Sequence, residues 1–333
     1  MIALSSVQLW RHMKRREFIA LIGAAAAAPC ISLSARAQRR QKVAHIGIID
    51  DGPIWNPYRQ ALHDAGYIDG QTVNYVYRSS GGQPDRLAAA AEELVHTPVD
   101  LIATYGTPPS RAAKAATSTI PIVMISVGDP VRAGLVRSLA HPGGNVTGNT
   151  ILAPDLSPKR LQLVKEIIPA AKRVALLWNP DNISNGVILE QMRAAAPQLG
   201  LGFTAVEIRN ASELDSAFVT LAREQSDAVM VTSDPLHQSH IQKIIALMFR
   251  YGLPGMFQTR DNAAAGGLMS YGASFSDLFR QGAFFTQKIL AGAKPASLPV
   301  QTPQRYELVI NLKTAKAIGL KISDALSMKL LHV

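Results

Sequence analysis

The chain has 333 residues, 47% of them hydrophobic and 17% charged, which excludes a disordered or collagen-like protein and leaves enough length for two packed domains. Its single cysteine excludes a disulfide-stapled scaffold, and its formal net charge of +10 raises nucleic-acid binding as a class to be tested.

The first 37 residues carry part of that charge. Met13-Lys14-Arg15-Arg16-Glu17-Phe18-Ile19 leads into an alanine-rich apolar stretch ending at Ala35-Arg36-Ala37. A charged start, a short apolar middle and a small-residue cleavage site read as an export signal cut near Ala37. The arginine pair before Phe18 and Ile19 marks it as the twin-arginine type, with the general export route as the alternative. The apolar part, residues 18–29, is shorter than the roughly 20 residues a membrane-spanning helix needs. Residues before Met13 lack signal character, so Met13 is an alternative start. Cys30 falls inside the signal, and Ala28-Pro29-Cys30 puts proline where lipidation signals carry Gly or Ala, which argues against a lipid anchor. Without the signal 296 residues remain, with 29 basic and 23 acidic side chains and a net charge of +6. Apart from Arg39-Arg40 and Lys42 the basic residues are scattered, with no interleaved aromatics, so no nucleic-acid partner is expected.

From Val43 onward strands and helices alternate. Residues 43–49 form an apolar run of strand length, 58–65 a helix closed by Gly66, 73–77 a strand, 84–95 a helix opened by Pro84, and 101–105 a strand. A helix at 108–117, a strand at 122–127, a helix at 131–139 and Val146-Thr147-Gly148 complete a first series. The second series is a helix at 157–168, a strand at 173–178, a helix at 184–199 with Pro197 near its end, and a strand at 203–208. A helix at 212–225 capped by Ser212, a strand at 228–232 and a helix at 235–251 closed by Gly252 follow. Residues 255–258, 268–271, a helix at 276–291 and the stretch 306–320 are too few for a third domain and complete the two sheets by crossing back. The pattern predicts an α/β protein with two doubly wound, mainly parallel sheets covered by helices.

Open parallel sheets bind ligands beyond the carboxyl ends of their strands, where helix N-termini present free N–H groups. The loops that follow each strand are therefore the candidates. In Gly106-Thr107-Pro108, glycine permits close backbone approach and Thr107 either caps its helix or donates to a ligand. Gly128-Asp129-Pro130 and Ser233-Asp234-Pro235 are built the same way, and Asp129 and Asp234 are each either a helix cap or an amine acceptor. Asn179, beside Trp178, can bond a polar ligand group; Trp55 and Tyr271 either wall a pocket or pack in the core. Arg260 is the candidate carboxylate clamp, with a surface arginine as the alternative.

Catalytic signatures are thin. There is no G-x-S-x-G elbow, no phosphate-binding G-x-x-x-x-G-K-[ST] loop and no G-x-G-x-x-G after the first strand, where Asp50-Asp51-Gly52-Pro53 stands instead. His237 and His240 have no further ligand to complete a metal site and read as surface or helix-end histidines. No enzyme activity, metal or cofactor is expected. The alternative of another class is an envelope hydrolase using Asp50, Asp51, Asp129 or Asp234 as acid and base.

Several stretches resemble those of the ABC-transporter substrate-binding protein family. They are Pro84-Asp85-Arg86-Leu87, Gly106-Thr107-Pro108, Thr117-Ser118-Thr119-Ile120-Pro121-Ile122-Val123-Met124, Val127-Gly128-Asp129-Pro130-Val131 and His141-Pro142-Gly143-Gly144-Asn145-Val146-Thr147-Gly148. Trp178-Asn179-Pro180, Gly266-Gly267-Leu268-Met269-Ser270-Tyr271-Gly272 and Tyr306-Glu307-Leu308-Val309-Ile310-Asn311-Leu312-Lys313-Thr314-Ala315 continue the resemblance, which runs in order along the mature chain. It departs from relatives at 50–56 and 258–262. The resemblance implies the type I periplasmic-binding fold, with three crossings between lobes at 43–148 plus 273–302 and 149–272 plus 303–333. It also implies a periplasmic monomer that closes on a small polar or amphipathic ligand such as an amino acid. The partner implied is an ABC permease in the inner membrane, with a signalling receptor as the alternative.

Overall fold

Five strands, β1 (Ala44–Ile49), β2 (Val73–Arg78), β3 (Leu101–Tyr105), β4 (Ile122–Val127) and β5 (Val146–Thr150), pair in parallel in the order β2-β1-β3-β4-β5. The computed structural model describes residues 43–81, 83–151, 156–322 and 331–332; the expected export signal and residues 323–330 lie outside them. Alternate side chains of each strand feed opposite faces, as the two-residue period of a strand requires. On β4, Val123 and Ile125 point to the face covered by α1 (Asn56–Asp64), while Ile122 and Met124 point to the face covered by α2 (Leu87–Val95) and α3 (Thr107–Ala116). Both faces of the inner strands β1, β3 and β4 are therefore dry, which is why those strands read as mostly apolar runs.

The second sheet is built by the same logic. β6 (Arg173–Trp178), β7 (Gly202–Glu207), β8 (Ala228–Val231), β9 (Gly255–Phe257), β10 (Met269–Gly272), β11 (Glu307–Ile310) and β12 (Leu331–His332) lie in the order β12-β11-β10-β9-β8-β6-β7. Only the β10–β11 pair is antiparallel among the described strands. α4 (Ser157–Ile167) and α5 (Ile183–Ala195) cover one face of β6 through Val174 and Leu176. α6 (Leu214–Arg223) joins the other face through Phe218 and Leu221, against Ala175 and Leu177. Both sheets are of the α/β kind that the alternation of strands and helices leads to.

The chain passes between the sheets three times. It leaves the first after β5, returns after β10 into α10 (Phe275–Leu290), and leaves again between Gln301, which bridges Asn149 beside β5, and β11. α10 is tied to α1 by a 2.8 Å bond between the Tyr58 hydroxyl and Thr286 Oγ1, and the Phe279 ring meets Trp55 edge-on at 5.2 Å. Burial pushes the Tyr58 hydroxyl pKa well up, so it stays a neutral partner. At the crossing after β10, Arg160 of α4 is buried and its Nε donates to the Tyr271 carbonyl at 2.7 Å. Burial pushes its guanidinium pKa down to about 9.

Some elements depart from expectation for local reasons. The helix expected at 131–139 is a single turn. Asp129 Oδ1 accepts from the N–H groups of Val131 and Arg132, Gly134 takes φ 69°, and Leu135 N–H folds back on the Pro130 carbonyl. The helix expected at 235–251 is broken at His240 into α7 (Pro235–Ser239) and α8 (Ile241–Tyr251). Residues 260–264, expected as loop, form the short helix α9 (Arg260–Ala264), and α11 (Leu312–Ala317) follows β11 with Asn311 as its cap. Ser212 is not the cap of α6; Asn210 opens that segment by accepting from Ser212 N–H. No helix among the described residues is long and apolar enough to cross a membrane.

Candidate functional site

The carboxyl ends of the two sheets face and touch each other. Thr107, first residue of α3, and Ser184, in the first turn of α5, place their hydroxyl oxygens 3.0 Å apart. Ser184 Oγ also accepts from Asp129 N–H at 3.2 Å, and Thr107 Oγ1 accepts from Gly128 N–H at 3.4 Å. Two loops of the first sheet are thus held by one serine of the second. Beside them Gly106 has φ 79°, and a Cβ there would lie 2.8 Å from Pro235 Cγ, so only glycine lets this backbone approach the Pro235 ring so closely. Burial raises the Tyr105 hydroxyl pKa at the same junction, against the lesser pull of the neighbouring Ser233 side chain. Arg132 and Glu190 approach at 3.9 Å on the open rim, where an exposed pair contributes little.

Next to this contact lies a cavity of about 270 Å³ with walls from both sheets. Asp50, Ser80, Gln83, Leu87, Pro108 and Arg111 line it from the first; Asn179, Asp181, Asp234, Pro235, Leu236 and Ser239 line it from the second. Asp234 is only 2% exposed, and its carboxylate accepts from the side-chain amides of Asn179 (3.3 Å), Asn182 (2.7 Å) and Asn185 (3.2 Å) and from Leu236 N–H (2.9 Å). All four donors are neutral, so the charge is dispersed and not cancelled. Asp50, with φ 57°, accepts from Ser80 N–H and Oγ–H, each at 2.6 Å, and from Ser79 Oγ–H at 3.3 Å.

The expected residues divide. Gly106, Thr107, Gly128 and the Asp129 backbone meet at the contact, and Asn179 and Asp234 line the cavity. Asp129's side chain caps its own turn. Trp55 does not wall the cavity: it is fully buried in the first core, its indole N–H bonded to the Asp50 carbonyl at 3.0 Å and its ring edge-on to Tyr58 at 5.4 Å. Arg260 lies at the start of α9, paired with Glu307 at 3.7 Å, and clamps no cavity residue because its loop continues as helix. Tyr271 is half-buried at the crossing, its ring 6.3 Å from that of Tyr306. Sequence reasoning missed Ser184, Arg111, Asn182 and Asn185. Arg111 lies one turn after Thr107 on α3, and the Asn182-Ile183-Ser184-Asn185 run follows the strand-ending Trp178-Asn179; both were visible as polar residues at a helix start.

His237 is buried, not at the surface. Its Nδ1–H donates to the Thr232 carbonyl at 2.9 Å, and burial lowers its pKa against the opposing pull of Asp234. The folded form holds it neutral while the unfolded chain takes the proton below about pH 6.5. Its contribution to stability is therefore complete above that pH and is lost as pH falls below it. The melting temperature is expected to decline from pH 6.5 to 5, and His237→Asn, which keeps a donor toward Thr232, should flatten that decline in thermal scans across the range.

A family model described as ABC transporter substrate binding protein matches residues 54–333. The chain belongs to that family. Among its relatives, a Clostridioides difficile tyrosine-binding protein (strain R20291) is 29% identical over 271 residues, covering 81% of this chain and 77% of the relative. The crystal structure of a Streptococcus pneumoniae ABC domain in complex with L-Trp superimposes with a TM-score of 0.80 at 26% identity, covering 87% of this chain and 99% of that one. The ligand-free, open structure of a Clostridium difficile substrate binding protein with adhesive properties gives 0.59 at 25% identity over the same shares. Equal coverage with a lower score for the open form matches the direct contact of the two sheets here. The facing strand ends are therefore the candidate capture surface of this substrate-binding protein.

Proposed function

We propose that this protein is an exported receptor that captures an amino acid in the cavity between the sheets and presents the closed form to an ABC permease of the inner membrane. The observation that carries the reading is a 270 Å³ cavity lined by Asp234 from the second sheet and by Pro108, Pro109 and Arg111 of α3 from the first. A carboxylate with no cationic partner accepts a ligand ammonium, and Arg111, in the second turn of α3, accepts a ligand carboxylate, since Pro108 and Pro109 leave that helix start few N–H donors of its own. Residues 43–148 with 273–302, and 149–272 with 303–333, are proposed as the two moving lobes. Residues 1–37 are proposed as the twin-arginine signal that brings the chain to the periplasm. Thr107, Gly106, Gly128, Asn179 and Asp234 remain the proposed contacts, with Arg111 and Asp50 added.

Calorimetric titration of residues 38–333 with each of the twenty amino acids, and with sugars and aromatic acids as controls, tests this. Saturable binding of at least one amino acid without its consumption is the expected result; conversion of the bound compound would instead favour a hydrolase. The Thr107–Ser184 contact exists only in the closed arrangement, so it adds to ligand affinity through closure. Thr107→Val and Ser184→Ala should each weaken binding about fivefold, equivalent to about 1 kcal/mol. The double variant should lose little more than either, and additive losses in the cycle would show the two hydroxyls to be uncoupled.

A further inference from the structure

We infer that the cavity selects an amino acid whose side chain is an aliphatic stem ending in a cation, of the lysine, ornithine or arginine kind, over an aromatic one. This rests on the reading of the site as an amino-acid receptor and sharpens its substrate class. Three carboxylates and one guanidinium line the cavity: Asp50, Asp181, Asp234 and Arg111. Asp181 is paired with Arg209 at 3.3 Å and exposed, so it is already answered. Asp50 and Asp234 accept only from neutral donors, and Arg111 has no carboxylate partner among the described residues. The charges left for a ligand are two negative and one positive.

A zwitterionic amino acid uses one of each. Its carboxylate meets Arg111, and its ammonium meets Asp234. That leaves Asp50, half-buried, which a neutral side chain would set opposite apolar atoms with less water around it, an unfavourable arrangement for a carboxylate. A side-chain cation answers it and makes the ligand's net charge complementary to that of the site. The walls agree: Leu87, Ala88, Pro108, Ala112, Pro235 and Leu236 offer aliphatic and prolyl surface along which a methylene stem can lie with its charged tip beyond. No Phe, Tyr or Trp is among the lining residues, so an aromatic side chain would find no ring to stack on.

Competition calorimetry with L-lysine, L-arginine, L-norleucine, L-tyrosine and L-tryptophan on residues 38–333 tests this. L-lysine or L-arginine should bind at least about tenfold tighter than L-norleucine, which shares the stem without the charge, and than either aromatic amino acid. In Asp50→Asn the ratio of L-lysine to L-norleucine affinity should fall at least about tenfold. Because the wild-type ranking needs no variant, a poorly folding Asp50→Asn does not spare the inference. Tighter binding of L-tyrosine or L-tryptophan would overturn it and leave the amino-acid reading intact. No binding of any amino acid would overturn both.

Discussion

Gly272→Ala is expected to lower the melting temperature by about 10 °C or to leave the protein insoluble. A Cβ at this position would stand 1.9 Å from the Gln258 carbonyl oxygen, well inside any real contact. That oxygen belongs to backbone at the end of β9, so no side-chain rotation relieves the clash. Gly272 is also the last residue of β10, and the Tyr271 carbonyl just before it is the acceptor for buried Arg160. Relief would require prising β9 from β10 or moving the crossing into α10, and either exposes core. Overpacking of this kind costs about 3 kcal/mol or more. Calorimetric scans of the two proteins decide it, and a melting point within about 2 °C of wild type would show that the strands separate easily.

Asp234→Ala is expected to cost a similar amount and to abolish ligand binding. It removes the acceptor of three asparagine amides and one backbone N–H. Each bond to a charged acceptor is worth about 1.5–3 kcal/mol. Removing a buried charge returns part of that loss, so a net cost near 3 kcal/mol is expected from the sum. Asp234→Asn should recover part of the stability, since one oxygen still accepts, yet not the binding, since the carboxylate that receives the ammonium is gone. Denaturant unfolding and titration on the same samples separate the two effects. Normal binding by Asp234→Asn would remove Asp234 from the site and leave it a structural knot.

The sheets were legible because parallel strands covered on both faces must be apolar throughout, as in Ile122–Val127, and because glycine or proline punctuates nearly every helix boundary. Loops after the strands were legible for the same reason, and Gly106, Thr107, Asn179 and Asp234 came from them. The misses share a cause. A residue in the loop after a strand can face the ligand or its own core, and sequence does not say which: Trp55 turned inward against Phe279, while Asp50, weighed only as a catalytic acid or base, turned toward the cavity. Ser184 stood in sight as a polar residue at a helix start, but its role did not, since it lies in contacts 77 and 55 residues away, with Thr107 and Asp129. Arg260 failed because Glu307, its partner, lies 47 positions on in a strand that joins only after the last crossing.

If an amino acid draws the two sheets together, small-angle X-ray scattering of residues 38–333, without ligand and with the amino acid that titrates most tightly, reads that motion directly. A smaller radius of gyration at saturation is expected, with a midpoint that tracks the calorimetric one. An unchanged scattering curve at full occupancy would contradict it.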